Sequence, residues 1–398
     1  GDVYKRQRID HVTGPSHSVW MNLRRFVKSI NPNVILIAEV FRDFDNNNQG
    51  YGIKDYYNGE FDVAFTFPYY WTVNSIVNGN NKPNAIDGLR ADLRRKFSEG
   101  VTHSFFIQNH DVPHKSTALN DYGGYNEKGI SKQISAATLM FVFPNSPQIF
   151  YGEELGITEY RGYVPWQNFS EHNPLYNFYR SMYKLRREIK ISANSEFFHV
   201  QNSQEDFVYS FVVRADEGKI LGLINMKDMY IDTVSLNIGV FRDKSCGILS
   251  FDSLFSYSSI EVEENYNYLF VGPLKPYEVR LYRINEKSSV LPVKVRFNLN
   301  TSSKSFEISA GKSAFISGDV VQLGNWVPNR MKMTKVNSES SYYETYICNN
   351  TQIEYKYLID YGALERWDGV EFSGENRKVI ISGDVNNEME IFDTFGLR

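Results

Sequence analysis

The run Val34-Ile-Leu-Ile-Ala-Glu-Val40 constrains the fold of this 398-residue chain more than any other feature. It is apolar without alternation, as a strand is when both of its faces are covered, and that is the situation of a strand in a parallel sheet. Residues 61–67 and 147–151 have the same character, and residues 104–108 lead directly into Asn109-His110-Asp111. Between these runs, residues 18–30, 85–98, 131–143 and 173–189 show helical periodicity. Strand and helix in strict alternation predict βα units and a parallel sheet. Four such strands amount to half of an eight-stranded βα barrel.

The pattern changes near residue 192. Short strands with turns follow at 206–215, 220–226, 230–238 and 277–284, which read as antiparallel. The polar stretch 285–289 reads as a linker. A second all-β block then begins at Val293, with strands expected at 315–317, 343–348, 354–359 and 378–381. The expected organisation is therefore an α/β half-barrel over 8–192, an antiparallel β-sandwich domain over 193–287, and a second all-β domain over 288–398. Residues 1–7, Gly-Asp-Val-Tyr-Lys-Arg-Gln, read as a translated sequencing adapter and are set outside the fold. On that reading the open reading frame is cut at its front. The two cysteines, Cys246 and Cys348, fall in different expected domains and are read as unpaired.

Composition excludes some classes of function. The formal net charge is −4 with no basic block, which argues against nucleic acid as a partner. No apolar run reaches the length of a membrane span. Aromatic residues make up 15%, an excess that suits either strand-rich domains or stacking on sugars.

Three acids stand at or just past the ends of the barrel strands: Asp10 after Arg8-Ile9, Glu39 after Ile-Leu-Ile-Ala, and Asp111 after Asn109-His110. Carboxyl ends of parallel strands share one face, so the three are expected to converge there. Retaining glycoside cleavage needs one ionised carboxylate and one protonated carboxyl, about 5–5.5 Å apart. Glu39 leaves an apolar strand and suits the raised pKa of an acid. Arg8, two residues before Asp10, lies on the same side of the strand and suits keeping Asp10 ionised.

This constellation resembles glycoside hydrolase family 13, the α-amylase family. Arg8-Ile-Asp10 resembles its fourth-strand motif, Ala38-Glu39-Val40 its fifth and Asn109-His-Asp111 its seventh. Phe150-Tyr-Gly-Glu-Glu-Leu-Gly156 is similar to its eighth-strand segment, 178–187 to its last barrel helix and 274–281 to the closing strand of its β domain. The resemblance implies Asp10 as nucleophile, Glu39 as general acid/base and Asp111 as transition-state stabiliser, with Arg8, Asn109 and His110 contacting substrate. It implies no certain cofactor and leaves calcium as a candidate ion of the full-length enzyme, its ligands unknown. Thr13 and Gly14 stand where the family often has Lys-His. Tyr69, Tyr70, Trp71 and Trp166 read either as rings lining sugar subsites or as packing.

Residues 293–395 resemble carbohydrate-binding module family 20, through Leu323-Gly-Asn-Trp326, Glu354-Tyr-Lys-Tyr357 and Gly374-Glu-Asn-Arg377. Two exposed rings can stack on successive sugars of starch. Trp326 is expected to be the first and Trp367 or Phe372 the second, with Lys356 and Asn376 bonding hydroxyls. Ala310 and Lys335 stand where the family's second site uses tyrosines. Taken together, the resemblances imply a secreted α-amylase acting on starch, glycogen or maltooligosaccharides, monomeric, with the 398 residues inactive alone. A cyclodextrin glucanotransferase and a non-catalytic α-glucan-binding protein are the rival readings.

Overall fold

The computed structural model describes residues 6–45, 51–98, 100–237, 246–255, 259–262, 268–290, 292–324, 326–360 and 367–397. The chain divides into two compact units, residues 1–234 with 271–281 and residues 235–270 with 282–398. The boundary therefore runs through the stretch 193–287.

In the first unit, β1 (Arg6–Ile9), β2 (Ile35–Ala38), β3 (Val63–Phe65), β4 (Thr102–Phe105) and β5 (Ser146–Pro147) form one sheet in sequential order. Every pairing is parallel, as the alternation of apolar runs and helices requires. Arg6 pairs with Ile35 and Gln7 with Leu36, so these two residues, set outside the fold on sequence, belong to the edge strand. The rest of that foreign-looking run, 1–5, lies outside the described residues.

Helices α1 (His17–Ile30), α2 (Phe67–Val77), α3 (Ala85–Lys96), α4 (Ala118–Asp121), α5 (Glu127–Val142) and α6 (Pro174–Ile189) connect and follow the strands. Helix α6 begins where Asn173 accepts a hydrogen bond from the Tyr176 N–H and Pro174 takes the first turn, where its missing N–H costs nothing. The sequence did not reveal α2. Its buried residues, Phe67, Pro68, Tyr69, Val73, Ile76 and Val77, leave no polar stripe by which a helical period could be recognised. Tyr69 is fully buried and stacks on Phe105, so it packs the core and lines no surface.

After α6, β6 (Glu196–His199), β7 (Val208–Ala215) and β8 (Gly218–Asn225) form an antiparallel meander. A polar cluster ties it to α3. His199 lies between Asp87, at 2.7 Å, and Glu205, at 3.1 Å. Tyr209 donates to Asp87, and Arg90 donates both to Asp87 and to the Phe197 carbonyl.

In the second unit, β9 (Val234–Asn237) pairs with β12 (Tyr268–Val271). Strand β10 (Cys246–Ser253) pairs with β11 (Ser259–Val262) and with β13 (Val279–Val290). Strand β13 continues through the stretch expected to be a linker: Lys287 pairs with Ile248 and Val290 with Cys246. Ladder hydrogen bonds are made by the backbone, so a polar strand survives where composition suggested a break.

Residues 293 onward form two four-stranded sheets. Strands β14 (Val293–Asn300), β17 (Thr334–Asn337), β18 (Ser340–Ile347) and β21 (Glu388–Thr394) are ordered β17-β18-β14-β21. Strands β15 (Ser313–Gly318), β16 (Met331–Lys332), β19 (Gln352–Asp360) and β20 (Arg377–Ile380) are ordered β16-β15-β19-β20. Helix α7 (Ser305–Ser309) follows β14. Val293, Val295, Phe297 and Leu299 alternate inward on β14 and join Ile316, Tyr355 and Tyr357 in one core. Cys348 is disulfide-bonded, which overturns the expectation of unpaired thiols. Reading the two cysteines into separate domains was the error, since both positions fall within the second unit.

The pocket around His199 has a pH signature. Burial alone would lower its pKa, but Asp87 and Glu205 outweigh burial and push it up to about 9, against an ordinary value of 6.5. A raised pKa stabilises the fold fully below the unfolded value and is lost as pH rises through the folded one. In urea unfolding, stability of the first unit is expected to fall by roughly 1–3 kcal/mol between about pH 6 and about pH 10, and His199→Phe should flatten that fall. A fall of equal size in the variant contradicts the assignment.

Candidate active site

The register of the first two strands builds the site. Ile9 pairs with Ala38, so the next residues, Asp10 and Glu39, leave neighbouring parallel strands side by side. The Glu39 N–H donates to the Ile9 carbonyl at 3.1 Å and the Val12 N–H to the Glu39 carbonyl at 3.3 Å, which extends the ladder past both acids. Glu39 is buried at 8% exposure, whereas the Asp10 side chain is 71% exposed.

Arg8 lies across this pair. One end of its guanidinium is 2.9 Å from Asp10 Oδ1, and the other donates to Glu39 Oε2. Its carbon sits 5.6 Å from the centre of the Phe65 ring, which supports the arm from β3. One oxygen of Asp10 and one of Glu39 also lie within 4.8 Å of each other. This contact has opposite consequences at its two ends. For Asp10 the hydrogen bond with Glu39 and then the charge of Arg8 hold the carboxyl below the usual range. For Glu39 burial and then the hydrogen bond with Asp10 raise it. The two effects favour the ionised form at Asp10 and the protonated form at Glu39.

His110 and Asp111 complete the group from the loop after β4. His110 Nε2 lies 3.2 Å from Asp111 Oδ2, and His110 offers a nitrogen within 4.8 Å of oxygens of both Asp10 and Glu39. Asp111 thus joins the pair through His110. Asn109, also expected to contact substrate, lies inside the loop. It is 4% exposed, and its side-chain oxygen accepts the N–H groups of Asp111 and Val112, so it shapes the loop from within. One residue not anticipated on sequence stands here: Arg161, whose Nη2 is 2.8 Å from Asp111 Oδ1. Nothing in its local sequence, Glu-Tyr-Arg-Gly, marks it.

Asp10, Glu39 and His110 are the only described residues whose ligand atoms converge as a metal would require. Arg8 already supplies positive charge to both carboxyls, so these residues do not fit an ion.

A second group of candidates lies in the C-terminal domain. Trp326 and Trp367 are neighbours, with ring centres 6.1 Å apart and planes at 48°. Trp326 holds φ +57, unusual for a bulky residue, with its N–H bound to the Gly318 carbonyl at 2.7 Å. Phe372 sits instead near the cations of Lys356 and Arg377. Lys356 is 9% exposed and donates to the carbonyls of Phe372 and Gly374, so it braces that loop. Asn376 donates to Glu354 at 2.7 Å. Trp166 is 70% exposed in the loop after β5.

Comparison with known proteins gives a family match to each of the two regions that carry these groups. Residues 3–196 match the family model described as "Alpha amylase, catalytic domain", and residues 292–390 match the one described as "Starch binding domain". Among curated relatives, Alpha-amylase 3 of Dictyoglomus thermophilum is 24% identical over 243 residues, 52% of this chain and 46% of that protein. Maltogenic alpha-amylase of Bacillus acidopullulyticus is 22% identical over 228 residues, 55% of this chain and 36% of that protein. The chain thus spans less than half the length of either relative. Among solved structures, an Anoxybacillus alpha-amylase superposes with a TM-score of 0.58 at 16% identity, covering 72% of this chain and 60% of that one. Gamma-CGTase of an alkalophilic Bacillus clarkii superposes at 0.55 with 16% identity, covering 98% of this chain and 68% of that one. At such identities these likenesses speak to fold.

The coupled pair can be tested directly. In a 13C carboxyl titration, Asp10 and Glu39 should titrate in two separate steps, and Asp10→Asn should move the Glu39 step part of the way down, because the second of its raising causes is gone while burial, the first, remains. An unmoved Glu39 titration contradicts the pairing.

Proposed function

We propose that this chain, whose residues 3–196 belong to the α-amylase family and whose residues 292–390 are a starch-binding domain, carries the catalytic carboxylates of a retaining α-1,4-glucan hydrolase of the α-amylase type. The observation that carries this reading is the Arg8-bridged pair, one carboxyl exposed and held below its usual range, the other buried and pushed above it. Those opposite directions suit the two roles in retaining cleavage, a nucleophile that is ionised and an acid that holds a proton.

On this reading Asp10 attacks the anomeric carbon, and Glu39 donates its proton to the departing glycosidic oxygen. A covalent glycosyl–Asp10 intermediate forms. Glu39, now ionised, accepts a proton from water as that water releases the sugar from Asp10, which restores both starting states. Arg8 favours the ionised form of Asp10 before attack and of Glu39 after proton donation. Asp111 and His110 face the same space and stabilise the positive charge that develops on the ring.

The substrate class is starch and related α-glucans, and the place of action is outside the cell, where such polymers lie. Trp326 and Trp367 form the stacking surface that holds the polymer. No described helix is long and apolar enough to cross a membrane. The 398 residues by themselves are expected to bind starch without hydrolysing it, because five parallel strands with Asp10 largely open to solvent leave the reacting sugar unenclosed.

In the active enzyme that carries this chain, Glu39→Gln should lower turnover of maltooligosaccharide by about 10³-fold or more while granular starch binding persists. Trp326→Ala should do the reverse, weakening granule binding by roughly 2 kcal/mol with little change in turnover of the soluble substrate. Near-normal turnover in Glu39→Gln would remove Glu39 from the acid/base role.

A further inference from the structure

We propose that Arg161 is a positioning residue for Asp111, carried on a strap that fixes the third carboxylate from the far side of the site. The proposal rests on the reading of Asp111 given above.

The strap runs from Gly152 to Asn168, and its root is built into the interior. Glu153 is fully buried, accepts a hydrogen bond from Tyr179 of α6, and its carbonyl accepts one from Gln133 of α5. Asn168 donates back to the Leu155 carbonyl at 2.9 Å, and Asn120 of α4 donates to the Thr158 carbonyl at 2.5 Å. The crest is a tight turn in which Gly162 N–H donates to the Glu159 carbonyl and Tyr151 Oη donates to the Gly162 carbonyl, both at 3.0 Å. Gly162 has no room for a Cβ, which would come within 2.6 Å of Glu159. Arg161 itself holds φ +53, a left-handed conformation that an arginine adopts only where its surroundings require it. Its guanidinium lies 5.3 Å from the Tyr160 ring centre.

From that crest the guanidinium grips two consecutive residues. Nε donates to the His110 carbonyl at 2.9 Å and Nη2 to Asp111 Oδ1 at 2.8 Å. The other Asp111 oxygen faces His110 Nε2 at 3.2 Å. Both oxygens are therefore held by different partners, and the plane of the carboxylate is set. Asp111 and Arg161 are both about half exposed, so the ion pair adds little to fold stability. What it supplies is orientation. An ammonium could reproduce the charge but not the two-point grip.

Steady-state kinetics on maltooligosaccharide, in the active enzyme that carries this chain, test the proposal. Arg161→Ala should lower kcat by about tenfold to a hundredfold with KM changed less than about threefold, as misplacement of a catalytic group does. Arg161→Lys should recover part of the loss, and the melting temperature of both variants should stay within about 2 °C of the parent. Parent-level kcat in a folded Arg161→Ala overturns the proposal, and so does a loss of kcat that merely follows a loss of melting temperature. Asp111→Asn, measured in parallel, should lose far more turnover than Arg161→Ala. If it turns over normally, the reading of Asp111 fails first and the role of Arg161 falls with it.

Discussion

The guanidinium of Arg8 between the carboxyls of Asp10 and Glu39 is the interaction on which the candidate site depends. Two acids emerging from adjacent parallel strands repel each other if both are ionised. A cation shared between them offsets that repulsion. Because Glu39 is buried and Asp10 is not, the protonated form is favoured more at Glu39 than at Asp10. The asymmetry thus comes from the depth at which each strand ends, and the same pairing of Ile9 with Ala38 that closes the ladder sets it. Arg8 is held in turn by its place on β1 and by the Phe65 ring on β3, so three strands of one sheet cooperate in a single electrostatic device.

The C-terminal domain solves a related problem with charges kept inside. Arg377 is nearly buried, meets Glu371 at 2.7 Å and Asp393 at 2.9 Å, and lies beside the rings of Tyr357 and Phe372. Tyr355 and Tyr357 both donate to Asp393. A buried cation this well satisfied locks β20 to β21 and fixes the loop of Phe372. The tryptophan pair stands on loops that leave the same sheet, and the left-handed backbone at Trp326 keeps that ring beside Trp367. In both domains a polar centre holds the scaffold, and the groups proposed to meet sugar stand at its edge.

Much of this was legible in the sequence, for reasons that particular residues make plain. Apolar runs such as 34–40 announce parallel strands because both faces are covered, and acids just past such runs stand out against them. Asp10, Glu39 and Asp111 were found that way, and the structure brings them to one end of the sheet. The loop residues were harder. Asn109 and Lys356 have the chemistry of ligand-binding side chains, yet both turn towards backbone carbonyls or N–H groups, a choice that local sequence does not encode. Helix α2 has its few polar residues, Thr72, Asn74 and Ser75, scattered around it, so its period is silent. The stretch 285–289 is polar, but its backbone continues a ladder. Arg161 reaches Asp111 across fifty positions of chain, and only the folded strap shows why an arginine stands there.

The central claim is that the closely paired carboxyls perform retaining cleavage of α-glucosidic bonds. Proton NMR of the first products formed from a maltooligosaccharide, recorded before mutarotation in the active enzyme carrying this chain, tests it most directly. The account predicts that the new reducing ends appear as the α-anomer. First products in the β-anomeric form would contradict it, because a nucleophilic Asp10 paired with Glu39 cannot invert the anomeric carbon.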